Sequence, residues 1–229
     1  MLNFHPAVVA YSELLLENGE GVPTWGGAKD LVFWETFLKR RGGEMSKDLF
    51  FEYLALVFAE RKGVTAAGFK VMYGQAGAYP QLDDYVRAND VRIVHLVREN
   101  LLDIVLSKEI AAQRDVYHSR EGEPLPPARL RVQTGDLIAR LESQAEEVEQ
   151  GRRLVTSWTT STLDVSYEDL CAGPSGFRPV LAYLGVRDNA HPLHSSLQKT
   201  IRQSQEDLIS NLPEVRRTLS GTRFASMIG

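Results

Sequence analysis

Apolar residues along this chain recur with two different periods, and the switches between those periods mark its elements. A short apolar run at residues 7–11 predicts a buried strand close to the start. Residues 17–27 hold Gly19, Gly21, Gly26 and Gly27 with Pro23, which predicts a loop. Helical spacing follows. Residues 28–41 place Leu31, Phe33, Trp34, Phe37 and Leu38 on one side, and Gly42 and Gly43 stop the helix. Ser46 caps a second helix, 47–61, in which Leu49, Phe50, Tyr53, Leu54, Val57 and Phe58 recur at helical spacing.

The period then shortens. Residues 66–73 and 91–97 predict buried strands on either side of a small helix, 82–88, that Asn89 and Asp90 end. The second of these strands feeds a long helix over 100–117. Residues 120–129 contain Pro124, Pro126 and Pro127 and form a connector. Thr134 or Asp136 starts an amphipathic helix reaching Trp158, with Leu137, Leu141, Ala145, Val148 and Val155 as its stripe. A strand at 162–166, a helix at 177–184 ended by Gly185, and a mostly helical tail at 197–227, punctuated by Pro213 and Gly221, complete the chain. Strands alternating with helices imply one α/β domain over residues 1–229, built on a parallel sheet.

Composition narrows the function classes. Of 229 residues, 43% are hydrophobic and 24% charged, enough for a sizeable core without staples. Cys171 is the only cysteine, which excludes an intrachain disulfide framework and cysteine-rich zinc sites. A net charge of −4 argues against general attraction to nucleic acid or anionic lipid. The chain opens on no secretory signal pattern and has no apolar run of membrane-spanning length, so a cytoplasmic setting is expected.

Most catalytic signatures are absent: there is no Walker-type GxxxxGK turn, no GxGxxG, no GxSxG, no HExxH and no CxxC. His191 and His194 are spaced like two metal ligands but lack a third. His5, His95 and His118 are scattered, and a lone histidine is more often structural. One constellation stands out: a strand ending at Val97, then Arg98-Glu99-Asn100, then a helix carrying Ser107 about two turns on. An arginine at the carboxyl end of a strand and the mouth of a helix is placed to meet a phosphate, with Ser107 in reach of the same anion. The competing reading pairs Arg98 with Glu99 or another acid.

Taken together, His5-Pro6-x-Val8, Glu13, Gly68-Phe69-Lys70-Val71-Met72-Tyr73, Leu96-Val97-Arg98-x-Asn100-Leu101-Leu102 with Ser107, and Val165-Ser166-Tyr167-Glu168-Asp169-Leu170 resemble the bacterial nodulation-factor and carbohydrate type of PAPS-dependent sulfotransferase. The closing Leu219-Ser220-Gly221-Thr222-Arg223-Phe224 and Met227 are similar too. The resemblance implies transfer of a sulfuryl group from 3′-phosphoadenosine-5′-phosphosulfate (PAPS), without a metal, to a hydroxyl on a carbohydrate or other small acceptor. It assigns Arg98 and Ser107 to the donor's 3′-phosphate, Tyr167 to the adenine and Lys199 to the nucleotide. Glu13 becomes the general base and Lys70 a stabiliser of the leaving phosphate. The same side chains also have plain readings: a loop acid for Glu13, a core tyrosine for Tyr167, surface lysines for Lys70 and Lys199.

The implied fold is a P-loop-like three-layer domain, a parallel sheet flanked by helices. In such proteins a 5′-phosphosulfate loop precedes the His-Pro pair, and neither that loop nor its strand is in this sequence. The first strand is therefore expected to be missing, leaving neighbouring strands with an unpaired edge. A non-catalytic module of the same fold, binding a nucleotide or a partner without transfer, is the alternative function. Trp25, Phe33, Trp34 and the 120–129 connector either line an acceptor cleft or belong to core and surface.

Overall fold

The computed structural model describes residues 2, 5–23, 30–115, 127–158, 161–187 and 203–228. These form a mixed α/β protein with two small parallel sheets. Strand β1, Val8–Tyr11, pairs in parallel with β2, Ala66–Phe69, in the register Val8 to Ala66 through Tyr11 to Phe69. A parallel pair needs a crossover, and two helices lie between its strands in the chain: α1, Trp34–Arg40, and α2, Lys47–Val57. After β2 come α3, Tyr73–Ala78, and α4, Gln81–Ala88. Strand β3, Ile93–Val97, pairs with β4, Thr162–Ser166. Between them run α5, Leu101–Arg114, and α6, Leu137–Trp158. The remaining helices are α7, Tyr167–Cys171, α8, Arg178–Tyr183, α9, Gln205–Leu208, and α10, Leu212–Leu219.

Several boundaries differ from the sequence expectation for identifiable reasons. Helix α1 begins at Trp34 rather than near residue 28 because loop carbonyls take the donors that would start it. Phe33 N–H donates to Gly21 O and Trp34 N–H to Leu14 O, each at 2.9 Å. Helix α2 has its Ser46 cap, whose hydroxyl accepts from Leu49 N–H, but it ends at Val57. There the Arg61 guanidinium folds back onto the carbonyls of Leu56, Val57 and Ala59, satisfying a helix end that would otherwise need further turns. The strand expected over 66–73 stops at Phe69. Gln75 caps the Met72 N–H at 2.9 Å, and the small residues Gly74, Ala76, Gly77 and Ala78 continue as α3. In α10, Pro213 sits in the first turn and starts a helix instead of interrupting one.

The chain divides into two compact units, one of residues Met1–His95, Leu154–Val165 and Asp169–His194, the other of Leu96–Arg153, Ser166–Glu168 and Ser195–Gly229. The first has an aromatic core. Trp34 meets Phe50 edge-on at 5.0 Å and Tyr53 at 5.3 Å, with Leu14, Leu15 and Leu54 fully buried around them. Phe33 and Trp34 are thus core residues, while Trp25 lies outside the described residues. The second core is aliphatic, with Leu102, Leu106, Ile110, Leu137, Leu141, Val215 and Leu219 around Phe224. Its buried amide, Asn211, both accepts from Val132 N–H and donates to Val132 O, so its polarity is satisfied. Among the described residues no helix is long and apolar enough to cross a membrane.

Candidate functional site

In the second unit, Arg98 follows β3 directly and Asn100 caps α5, its side chain accepting from Asp103 N–H at 3.2 Å. That cap sets the first turns of α5 and brings Ser107 back over Arg98, whose Nη1 donates to the Ser107 hydroxyl at 3.3 Å. Strand β4 delivers Tyr167 at the start of α7, and its ring lies under the guanidinium at 4.9 Å. Three residues assigned to the donor nucleotide therefore meet at one place, though Tyr167 is far from the other two in sequence.

The same guanidinium also meets acids, as the competing reading of Arg98 requires. Nη2 donates to Asp103 Oδ2 at 3.0 Å, and Nε lies 3.9 Å from Glu168 Oε1. Ion-pair range is not hydrogen-bond range, and the buried Arg98 Nε has no hydrogen-bond partner. The Glu168 carboxylate instead accepts from Glu99 N–H at 3.1 Å and Asn100 N–H at 3.3 Å. It thereby fills the anion-receptive mouth of α5. One guanidinium faces two carboxylates, and its Nε–H is the nitrogen left without any partner, beside the Ser107 hydroxyl. An N–H and a hydroxyl are groups that can donate to an anion's oxygen.

In the first unit, Glu13 lies just past β1 and Lys70 just past β2, and the parallel register brings them together. Lys70 Nζ donates to Glu13 Oε1 at 2.7 Å, and Gln75 Nε2, from the first turn of α3, donates to Oε2 at 3.3 Å. The Glu13 side chain is only 18% exposed, so its carboxylate is held rather than solvated. Lys199, His118, His191, His194 and residues 120–126 of the connector lie outside the described residues.

Sequence reasoning passed over Asp103, Glu168 and Gln75, and it treated His95 as a scattered structural residue. In the structure His95 is buried, with Tyr73 and Asp164 on its two ring nitrogens. The available signal was one polar ring in the otherwise apolar strand Ile93–Val97 and one charge in the strand paired with it. Compared with known proteins, the chain matches no family model, no curated protein and no solved structure at a significant level.

Proposed function

We propose that this chain is a PAPS-dependent sulfotransferase domain, binding the donor nucleotide through Arg98, Ser107 and Tyr167. The observation that carries this reading is their meeting in the second unit, around an Arg98 Nε–H that has no hydrogen-bond partner. In this reading Arg98 and Ser107 donate to the 3′-phosphate and the Tyr167 ring lies against adenine. Glu13, oriented by Lys70 and Gln75, accepts the proton of the acceptor hydroxyl as its oxygen bonds to sulfur. The resemblance gives Lys70 the role of stabilising charge on the leaving phosphate. The proposed fold is the P-loop-like three-layer arrangement. Parallel pairing of β1 with β2, with helices between the two strands in the chain, is what supports it.

The ion pair of Arg98 with Asp103 favours a second reading, in which the cluster is structural and the chain is a binding module without transfer. Calorimetry on Arg98→Ala tests whether the cluster binds the nucleotide or is only structural. Nucleotide binding predicts a loss of about 1.5–3 kcal/mol, roughly ten- to a hundredfold, for adenosine 3′,5′-bisphosphate and little change for adenosine 5′-phosphate. Equal losses for both ligands remove Arg98 from the 3′-phosphate.

A further inference from the structure

Tyr73, His95 and Asp164 all lie in the first unit and have no part in the transfer proposed above. His95 is 4% exposed and makes two short contacts: Nδ1 to Asp164 Oδ1 and Nε2 to the Tyr73 hydroxyl, both 2.7 Å. A carboxylate can only accept, so Nδ1 carries the proton facing Asp164. In the neutral ring Nε2 is then an acceptor, and the Tyr73 phenol donates to it. Carboxylate, imidazole and hydroxyl stand in the order in which a hydroxyl is activated for attack.

The surroundings suit that role better than a purely structural one. The Asp164 side chain is 55% exposed, so it is not a buried acid in need of a partner. Tyr73 is half-buried and opens α3, the helix whose first turn also sends Gln75 to Glu13. The chain of contacts thus runs from a partly exposed carboxylate, through a buried imidazole, to a phenol on the helix whose Gln75 bonds Glu13.

Resting on the sulfotransferase reading above for its substrate class, we propose that Tyr73 is a nucleophilic tyrosine, activated by His95 and Asp164, that takes a group from a tetrahedral sulfur(VI) centre bearing a leaving group. A phenolate oxygen is a hard nucleophile and sulfur(VI) a matching hard electrophile. As the new O–S bond forms, the phenol proton passes to His95 Nε2. The bond from sulfur to the leaving group breaks, and that group departs with its electron pair. Asp164 holds the imidazolium.

The test uses the intact chain and benzenesulfonyl fluoride, with adducts mapped by peptide mass spectrometry. Because this probe is not a nucleotide, the result is independent of the Arg98 site. Tyr73 is expected to label roughly tenfold or more faster than the half-buried Tyr183, as general-base assistance requires. In Asp164→Asn its rate should fall about tenfold, and in His95→Gln it should drop to the level of Tyr183. Asp164 is exposed enough for its variant to fold even where a change at buried His95 does not. Labelling of Tyr73 no faster than Tyr183 overturns the proposal. So does an Asp164→Asn variant with a lowered melting temperature but an unchanged Tyr73 rate, the result of a structural trio.

Discussion

Arg98 is pulled in two directions. Its Nη1 meets the Ser107 hydroxyl and its Nη2 the Asp103 carboxylate, whose other oxygen accepts from Gln205 at 2.8 Å. A phosphate arriving at Arg98 meets a carboxylate already bonded to it, and like charges at close range in a half-buried setting repel appreciably. Asp103→Asn should therefore tighten adenosine 3′,5′-bisphosphate by roughly 1 kcal/mol, about fivefold, read by calorimetry. Weaker binding would mean that Asp103 holds the guanidinium in its binding pose. Position along the chain made Arg98 and Ser107 legible, because a strand end followed by a helix start is a local pattern, whereas Tyr167 came only from the family resemblance. Which acids face Arg98 was not legible, because Glu168 reaches Glu99 and Asn100 only through the pairing of β3 with β4.

At the scale of elements, the helices that carry an apolar period were readable and α3, which carries none, was not. Strand β4 falls on the expected residues, and α4 ends where Asn89 and Asp90 were expected to end it. Helix α3 was missed because its six residues carry too few apolar positions to show a period, and its start depends on the Gln75 side chain capping Met72. The late start of α1 depends on carbonyls of the 14–21 loop, a contact that spacing cannot encode. Helix α5 offers the sharpest test of local capping. Asn100 caps it through Oδ1 and also donates from Nδ2 to Met227 O at 2.9 Å. Losing both contacts in Asn100→Ala should destabilise the chain by about 1.5–3 kcal/mol, measured from the denaturant midpoint. Asn100→Asp keeps the cap acceptor and loses only the donor, so it should recover a large part of that loss.

Across the whole molecule, tyrosines set an alkaline limit on stability. Burial pushes the Tyr53 and Tyr85 phenols above the ordinary 10.0. Burial followed by the Glu35 and Glu17 charges does the same for Tyr79. Tyr11 is raised by burial and then by its hydrogen bond to Asp30. In each case the unfolded chain releases its proton near the ordinary value while the folded chain keeps it. Their contribution is therefore fully present below pH 10.0 and is lost as pH rises through that value towards the folded pKa. Urea midpoints should be unaffected by these groups below that range and fall above it. Tyr85→Phe should flatten the fall, and an alkaline slope unchanged in that variant would contradict the assignment. The alternation of strands and helices was legible at this scale, since it follows from period alone. The division of the strands into two parallel pairs was not, since pairing joins residues far apart in the sequence.

The measurement closest to the central claim is calorimetric titration of the 229-residue chain with adenosine 3′,5′-bisphosphate beside adenosine 5′-phosphate. If Arg98 and Ser107 grip a 3′-phosphate, the bisphosphate binds at least roughly tenfold more tightly, the worth of one or two charge-assisted hydrogen bonds. Equal affinities, or no heat with either nucleotide, would contradict it.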